Sequence, residues 1–356
     1  MLNAIIKGSG HYLPENIVKN SDFLSHEFYD EKGEKILKSN EETIQKFKEI
    51  TEIEERRYAN PEMKNSEMAS IAGKRALEDA QLDPEKLDYI FVASNYGDIE
   101  KDTQTADFMP SMSARVKHLL GIKNLKCRPY DMIFGCPGWV ESMILATQLI
   151  QAGAAKNILV IGSDMVSRAI DPHDRTALIF SDGAGAVVLS AEEASEPKGV
   201  LGYGTYSYTQ DEISYLSNGP SLKADCTNYQ KSVSMKGRKV YEFALKNVPQ
   251  AIKEVIDESG SQISEVKKVL LHQANAKMDH AMVARLFKLY HEQAPEDVAP
   301  MTVQKFGNSS VATVPTMFDL IQKKQLGAHQ FMPNDKIIFA SVGAGMNINA
   351  IIYKMP

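Results

Sequence analysis

Three polar residues at predicted strand–helix boundaries carry side chains that could do covalent chemistry. Cys136 lies in F-G-C-P-G-W (134–139), His272 in L-H-Q-A-N (271–275) and Asn308 in F-G-N-S-S-V-A-T (306–313). A thiolate can attack a thioester, while an imidazole and an amide can donate hydrogen bonds to developing negative charge. Together these residue types are the parts of a covalent acyl-transfer site.

The sequence around Cys136 is typical of a nucleophile, although an isolated cysteine is more often a packed core residue. Gly135 and Gly138 permit a sharp turn and the close approach of an acyl chain, and Pro137 suits a first helical turn. Since a helix N-terminus lowers the pKa of a thiol, we expect Cys136 to be activated there. Cys127 and Cys226 lack this context, so packing is expected for both.

His272 and Asn308 each have a structural alternative. A histidine at a strand end can be a hydrogen-bonded core residue, and asparagine is a favoured helix cap. Both residues nevertheless occur at matching element ends in one half of the chain. This placement favours a shared role as hydrogen-bond donors to an oxyanion.

The order of predicted elements repeats along the chain. A helix, a strand, a second helix, a second strand and a G-A-G triplet occur in both halves; the triplets start at 183 and 343. The helices at 66–80 and 240–258 begin the two series, and Cys136 and Asn308 precede the second helix of each. We therefore predict two packed α/β units, 1–190 and 191–356, with apolar strands covered by helices on both faces.

Two insertions interrupt this symmetry. Residues from about 30 to 57 are strongly charged, with a helix predicted near 40–50, and residues from about 203 to 236 form a predicted irregular cap rich in Tyr, Ser, Asn and Gly. Long polar loops often carry function, so the cap is expected as a lid or wall over the site. A plain solvated loop is the alternative.

Composition excludes several functional classes. The formal charge of −6 over 356 residues argues against a nucleic-acid-binding surface. No run of about 18 apolar residues predicts a membrane span, and the N-terminus lacks the pattern of a signal peptide. Three cysteines at 127, 136 and 226 match no zinc spacing. We therefore expect a cytoplasmic protein with reduced thiols and no metal.

Taken together, the motifs resemble those of the β-ketoacyl-acyl-carrier-protein synthase III family of the thiolase superfamily. Besides G-C-P-G, L-H-Q-A-N and F-G-N-S-S-V-A-T, the matches include D-P-x-D-R-T-A-L-I-F-S-D-G-A-G-A (171–186), M-x-G-R-x-V-Y-E-F-A (235–244) and the closing G-A-G-M. The resemblance covers nearly the whole chain. It implies a homodimer of the duplicated αβαβα thiolase fold and a ping-pong decarboxylating Claisen condensation.

The resemblance also implies residue roles. Cys136 would accept the acyl group, His272 and Asn308 would bind the malonyl thioester oxygen, and the backbone N–H groups of Cys136 and Ala344 would form a second oxyanion hole. Lys277 falls where the family usually has an Arg that helps to dock acyl carrier protein. The substrates would be thioesters of coenzyme A or of carrier-protein phosphopantetheine, with no separate cofactor.

Other positions match the family or depart from it. Arg168 matches a position associated with the coenzyme A adenine, whereas Thr43 and Ile50 stand where family members hold coenzyme A with Trp and Arg. Met109 replaces a Phe that often reaches into the partner's acyl pocket; related head-to-head condensing enzymes tend to have Glu there. These departures predict a donor that is longer than acetyl-coenzyme A or is carrier-bound.

Three other functions share parts of this pattern. Papain-like proteases use Cys, His and Asn in the same chain order, but they place the cysteine in C-G-[SA]-C-[WY] near the mature N-terminus. A non-catalytic partner subunit usually loses the nucleophile, which this chain keeps. An acyltransferase or a non-decarboxylating head-to-head condensing enzyme would use Cys136 identically, so the sequence leaves those functions open.

Overall fold

The computed structural model describes residues 2–100, 105–226 and 231–356. The first half begins with a long strand, and its helices alternate with strands. Its elements are β1 Leu2–Tyr12, β2 Asn16–Lys19, α1 Asn40–Thr51, β3 Glu55–Tyr58, α2 Asn65–Asp79, β4 Tyr89–Ala93, β5 Asp98–Ile99, β6 Ala106–Asp107, α3 Met112–Leu119, β7 Arg128–Met132, α4 Gly138–Gln151, β8 Asn157–Met165 and β9 Asp182–Glu193.

The second half repeats the pattern with fewer strands in its main sheet. Its elements are β10 Gly199–Ser207, β11 Leu216–Gly219, β12 Ser232–Met235, α5 Gly237–Glu258, β13 Val266–Leu271, α6 Ala276–Lys288, α7 Val303–Phe306, α8 Thr313–Gln322, β14 Lys336–Gly343 and β15 Asn347–Lys354. The predicted helices at 66–80 and 240–258 correspond to α2 and α5.

Two mixed sheets form the framework. The first has the strand order β1-β9-β8-β4-β7, and the second has the order β10-β15-β14-β13. Strand β4 is parallel to β7 and β8, and β13 is parallel to β14, whereas β9 and β15 run antiparallel to their neighbours. The two sheets therefore share a parallel pair followed by an antiparallel strand, which agrees with the repeated element order of the two halves.

Helices α4 and α8 lie between the two sheets. Trp139 of α4 packs edge-on against Phe339 of β14, with ring centroids 5.6 Å apart, and Phe318 of α8 meets the same ring. Helices α2 and α3 cover the outer face of the first sheet, and α5 and α6 cover the outer face of the second. Five layers result, in the order αβαβα, as the family resemblance implies.

Two predicted boundaries were wrong. The division at 190/191 falls inside β9, which continues to Glu193 because its outer end pairs with β1. The segment 203–236 is not irregular throughout, because 203–207 belong to β10 and β11 pairs with β12. Tyr203, Thr205 and Tyr206 are of types frequent in strands, which explains why 203–207 continue β10. Residues 227–230 of that segment lie outside the described residues.

The charged insertion is an ordered part of the first half. It contains α1, which the sequence predicts near 40–50, and it ends in β3, which pairs with the earlier strand β2. Ile44 of α1 packs in a small core with Phe28 and Leu178. Among residues 2–100, 105–226 and 231–356, no helix has the length and apolar character needed to cross a bilayer.

Candidate functional site

Cys136 lies in the turn between β7 and α4, and the closing G-A-G-M segment packs directly against it. Gly135 has a φ of +74°, a left-handed conformation that glycine adopts without strain. A Cβ on Gly343 would lie 2.8 Å from the Cys136 Cβ and 2.7 Å from the Pro137 Cδ. Glycine is therefore required at 343 for the second half to approach the cysteine.

His272 follows β13 and is buried, with 6% of its surface exposed. Its backbone N–H donates to the Ala340 carbonyl at 2.9 Å, and its ring Nδ1 lies 3.2 Å from the Ser310 carbonyl oxygen. Burial lowers the pKa of His272 to about 4, which keeps the ring neutral at physiological pH. Since a carbonyl can only accept, Nδ1 carries the proton and Nε2 is left as an acceptor.

Asn308 is held in place by short backbone contacts to the first half of the chain. Its N–H donates to the Ile179 carbonyl and its carbonyl accepts from the Ser181 N–H, both at 2.9 Å. Its Oδ1 accepts from the Ser310 N–H at 2.8 Å, so the Nδ2 amide is the part available to a substrate. Contrary to the sequence prediction, α8 does not follow directly, because the short 3-10 helix Ser310–Ala312 intervenes.

Ser310 was not among the candidates that the sequence patterns indicated, yet it contacts all three. Besides its backbone bonds to His272 and Asn308, its Oγ lies 3.4 Å from the Cys136 Sγ. Its φ is +55°, which is unusual for a residue with a side chain. Such a conformation costs about 1–3 kcal/mol and persists only where the surrounding contacts determine it. Ser310 thus joins the three candidates into one site.

A buried carboxylate lies behind Ser310. Asp164 of β8 is 1% exposed and accepts hydrogen bonds from the Ser94 Oγ at 2.9 Å and from the Asn95 N–H at 2.8 Å. The Asn95 Nδ2 donates to Asp164 Oδ2 and to Ser310 Oγ, both at 2.6 Å. These contacts connect the ends of β4 and β8 to Ser310, which lies beside Cys136.

The expectation that the helix terminus lowers the pKa of Cys136 was wrong. Burial raises the pKa of the Cys136 thiol to about 11; the hydrogen bond from Ser310 opposes this rise, and the negative Asp164 adds to it. Pro137 is the N-cap of α4, so Cys136 precedes the free N–H groups of the first turn. The cost of withdrawing a thiolate from water therefore outweighs the helix dipole.

A pocket of about 380 Å³ opens at Cys136, within the usual range for small-molecule sites. The hairpin of β11 and β12 forms one wall, and the Tyr96 hydroxyl donates to Asn218 Oδ1 at 2.7 Å. The apolar lining consists of Ile133, Phe134, Val166, Phe180, Leu216 and Val233. An acyl chain attached to Cys136 would find a largely apolar enclosure here.

The remaining sequence candidates lie at different distances from this pocket. Ala344 lines it, and the Ala344 N lies 3.0 Å from the position of a Cβ built on Gly135, beside Cys136. Lys277 is exposed on α6 and Met109 is 87% exposed, and neither lines the pocket. Met109 and Lys277 are therefore exposed surface residues outside the pocket of Cys136.

Arg168 is already engaged within the protein. Its guanidinium donates to the carbonyls of Ile99, Pro61 and Met63 at 3.1, 2.7 and 2.7 Å. These bonds tie the loop at 60–63 to the end of β5, outside the lining of the pocket. Thr43 of α1 is buried and Ile50 of the same helix is half exposed, so the departures from the family pattern lie on α1.

Two family models match the chain. The model for 3-oxoacyl-[acyl-carrier-protein (ACP)] synthase III matches residues 130–208, and the model for the C-terminal part of that synthase matches residues 256–355. The first match contains Cys136 and Asp164, and the second contains His272, Asn308 and Ser310. The matched regions thus include the three candidates and Ser310, whereas Asn95 and the β11–β12 hairpin of the pocket wall lie outside them.

Full-length relatives show the same similarity. The chain is 33% identical over 351 residues to a β-ketoacyl-[acyl-carrier-protein] synthase III from Oceanobacillus iheyensis and 34% identical over 352 residues to one from Bacillus cereus, with 98% of each chain covered. The crystal structure of 3-oxoacyl-[acyl-carrier-protein] synthase III from Aquifex aeolicus superposes with a TM-score of 0.79 at 28% identity, covering 99% of this chain and 100% of that one.

Proposed function

The chain belongs to the 3-oxoacyl-[acyl-carrier-protein] synthase III family, and we propose that Cys136 is the nucleophile of its condensing reaction. The protein is an acyltransferase with the thiolase fold, a condensing enzyme of the ketoacyl synthase III type. The observation that carries the residue assignment is the position of Ser310, which contacts Cys136, His272 and Asn308 at once. Cys136, His272 and Asn308 would then act together on the donor thioester and on the second thioester with which its acyl group condenses.

In the first half-reaction, the Cys136 sulfur attacks the carbonyl carbon of a donor thioester. A new carbon–sulfur bond forms, the donor's carbon–sulfur bond breaks, and the departing thiolate takes up one proton. His272 presents an unprotonated Nε2, which suits it to carry the thiol proton to the leaving sulfur. The N–H groups of Cys136 and Ala344 would donate to the tetrahedral oxyanion.

In the second half-reaction, a malonyl thioester loses carbon dioxide and becomes an enolate. The Asn308 Nδ2 is free to donate to the enolate oxygen, since its Oδ1 is occupied by Ser310. His272 can donate from Nε2 only when it is protonated, and the malonyl carboxylate would raise its pKa by charge attraction. The enolate carbon then attacks the carbonyl carbon of the Cys136 acyl group, and the bond between that carbon and the Cys136 sulfur breaks. The released sulfur takes the proton that His272 holds. That proton comes from solvent, because the thiol proton left with the donor's sulfur in the first half-reaction.

The proposal is tested by following both half-reactions separately. The enzyme is incubated with radiolabelled acyl thioesters, with and without malonyl carrier protein, and the adduct and the released carbon dioxide are measured. Carbon dioxide release that depends on the acyl adduct supports decarboxylative condensation. An adduct that transfers its acyl group without carbon dioxide release would identify an acyltransferase or a head-to-head condensing enzyme instead.

Acyl carrier protein is the proposed partner, as the names of the relatives suggest. Lys277 and Lys288 are exposed on α6, and Lys239 and Lys246 are exposed on the adjacent α5. Since the chain carries a net charge of −6, an acidic carrier would need a local basic surface of this kind. Condensation with carrier-bound malonate should therefore weaken with increasing salt more than acylation by coenzyme A thioesters does.

We further propose a homodimer that forms along β7. This strand lies at the edge of the first sheet, and Tyr130 and Ile133 beside it are 51% and 53% exposed. An unpaired strand edge with apolar side chains is typical of an interface. Ile133 also lines the pocket of Cys136, so a partner seated there, with its exposed Met109, would close the pocket. A monomer in sedimentation velocity would contradict this assembly.

Coenzyme A and phosphopantetheine thioesters are proposed as substrates, with no resident cofactor. The cytoplasm is the proposed location. Cys127, Cys136 and Cys226 are all free thiols, and Cys226 is partly exposed. Free thiols are expected to persist in a reducing compartment.

A further inference from the structure

The Ser310 hydroxyl lies between an amide nitrogen and a sulfur. The Asn95 Nδ2 donates to its oxygen at 2.6 Å, and the hydroxyl donates to the Cys136 Sγ at 3.4 Å. An amide nitrogen offers hydrogens and does not accept, whereas a cysteine sulfur can accept. Of these two neighbours, therefore, only the sulfur can take the single hydrogen of Ser310.

The Asn95 amide is itself held by one carboxyl group. The Asn95 backbone N–H donates to Asp164 Oδ1 at 2.8 Å, and its Nδ2 donates to Asp164 Oδ2 at 2.6 Å. Asp164 lies on β8, the parallel neighbour of β4, so the sheet fixes its position relative to Asn95. The Nδ2 atom has two hydrogens and directs one to Asp164 and the other to Ser310. This arrangement needs only lone pairs on the Asp164 oxygens, which the ionised and the protonated carboxyl both have.

The backbone of Ser310 is fixed independently of Asn95. Its N–H donates to Asn308 Oδ1 at 2.8 Å, its carbonyl oxygen lies 3.2 Å from the His272 Nδ1, and its φ is +55°. These contacts set the direction of the Cα–Cβ bond of Ser310. Rotation of the hydroxyl is the freedom that remains, and the hydrogen bond from Asn95 restricts it.

We propose that Asn95 is a positioning residue, whose amide holds the Ser310 hydroxyl so that its hydrogen is directed at the Cys136 sulfur. A thiolate on Cys136 then has a donor that is already oriented, both when it attacks the donor thioester and when it is released in the condensation. Hydrogen bonds to charged groups are stronger than those between neutral groups, so this bond opposes the cost of a buried thiolate. The inference rests on the proposed role of Cys136 as the nucleophile.

The titratable side chains around Cys136 come from four elements. Burial raises the pKa of Tyr96, which follows β4, and lowers that of His272, which follows β13, to about 4, so both are neutral at physiological pH. Glu141 of α4 is hydrogen-bonded to Thr205 and Asn349. Asp164 of β8 is thus the group that could act on the sulfur by its charge without Ser310, and the test must separate that route from the hydroxyl.

The other segments that surround Cys136 contribute no titratable side chain of their own. These segments are the turn that carries Cys136, the two strands of the hairpin and the closing turn, at 133–138, 216–219, 232–235 and 343–346.

The test is the rate at which iodoacetamide alkylates Cys136 in the full-length protein at neutral and mildly alkaline pH. Peptide mass spectrometry distinguishes Cys136 from the free thiols of Cys127 and Cys226. Asn95→Leu keeps the approximate shape of the side chain and removes both donors. It should slow alkylation about threefold, because a loss of about tenfold in thiolate is partly offset by higher nucleophilicity. A structure that had merely loosened would expose the thiol and react faster instead.

Asn95→Ala removes the same two donors with a smaller side chain. It should also slow alkylation, so the measurement requires only one of the two variants to fold. Faster or unchanged alkylation in the folded variant would overturn the proposal.

Ser310→Ala decides whether the effect of Asn95 passes through the hydroxyl. Alanine keeps the Cβ and removes the Oγ to which Asn95 donates. This change alone should slow alkylation about threefold, and adding Asn95→Leu to it should cause no further change. If Asn95 acted through the charge of Asp164, or only by lining the pocket, its substitution would have the same effect in both backgrounds. That additive result would also overturn the proposal.

Asn157→Leu is the matched control. Asn157 lies at the other end of β8, where its Nδ2 donates to the Lys86 carbonyl at 3.2 Å and its Oδ1 accepts from the Ser190 Oγ at 2.8 Å. The substitution removes an amide of the same kind away from Ser310 and should leave alkylation of Cys136 unchanged. Equal slowing in this control would assign the effect to lost stability and contradict the role of Asn95. The measurement uses no thioester, so its failure is distinguishable from failure of the proposed reaction.

Discussion

Ser310 Oγ lies 3.4 Å from the Cys136 Sγ, although 174 positions separate the two residues in the chain. The contact joins the two halves, because Cys136 belongs to the turn before α4 and Ser310 to the turn before α8. Both helices lie in the layer between the sheets. The duplicated fold therefore brings the starts of its two central helices together, and the site lies where they meet.

The first prediction concerns the acyl-enzyme. Cys136→Ala should abolish the mass adduct that forms when the protein is incubated with a panel of acyl thioesters, because the attacking sulfur is gone. Intact-mass spectrometry measures the adduct. Cys226→Ala is the control, since that partly exposed thiol lies outside the pocket lining and its loss should leave the adduct in place. An adduct that survives in Cys136→Ala would contradict the assignment.

The second prediction distinguishes the two functions of the Asn308 side chain, in which Nδ2 would donate to the substrate and Oδ1 accepts from the Ser310 N–H. Asn308→Asp keeps the oxygen that accepts from the Ser310 N–H at 2.8 Å but loses the amide donor. Condensation should fall by about 100-fold or more, the loss typical for one oxyanion donor, while acylation of Cys136 falls much less. Single-turnover rates of the two half-reactions measure this difference.

Asn308→Ala removes both the donor and the contact with Ser310. It should therefore also slow acylation if Ser310 positions the sulfur. Equal losses in both half-reactions for Asn308→Asp would show that Asn308 has a structural role instead.

The third prediction is a pH dependence of stability from His272. Burial lowers its pKa from 6.5 to about 4, so the unfolded chain binds more protons than the folded protein between these values. The contribution of His272 to the free energy of unfolding is complete above pH 6.5 and is lost as the pH falls to 4. The loss is about 3 kcal/mol at 1.36 kcal/mol per unit.

Denaturant unfolding of wild type and His272→Gln over this pH range measures the contribution. The difference between the two proteins isolates His272 from Asp182, whose pKa is raised by burial to about 6 and which acts with the opposite sign. Stability that falls equally in both proteins would contradict a neutral, buried His272.

The layers of the fold and the three catalytic candidates could be predicted because each left a periodic or motif pattern. Strand β4 at Tyr89–Ala93, for example, is a run of five buried, largely apolar residues, the pattern typical of a strand covered on both faces. Cys136, His272 and Asn308 could be singled out as candidates because rare residue types stand beside glycines or at strand ends. The structure brings all three to Ser310.

Other features depend on tertiary contacts that leave no local signal. Ser310 is one of two adjacent serines, and nothing in its neighbours indicates that its hydroxyl faces a sulfur from the other half. The pKa of Cys136 was predicted in the wrong direction because burial is set by the pocket walls, which include the distant β11–β12 hairpin. Arg168 matched a family position, but the backbone carbonyls that occupy its guanidinium come from the loop at 60–63 and from Ile99 of β5.

The last prediction concerns the donor. Ile50 stands on α1 where the family pattern has an Arg for coenzyme A, and it is 48% exposed, so a longer polar side chain fits there without repacking. A missing cationic or aromatic contact is worth about 0.5–2 kcal/mol, or roughly tenfold in preference. Medium-chain acyl groups or carrier-bound donors should therefore acylate Cys136 faster than acetyl-coenzyme A does.

Ile50→Arg should reduce this difference in acylation rate by raising the rate with acetyl-coenzyme A up to about tenfold. Ile17→Arg, a similarly exposed position on β2, adds the same charge elsewhere and should have no such effect. Acylation rates from intact-mass time courses measure this preference. If wild type acylates faster with acetyl-coenzyme A than with the longer or carrier-bound donors, the enzyme uses the ordinary two-carbon primer. The residues at 43 and 50 then do not determine which donor it accepts.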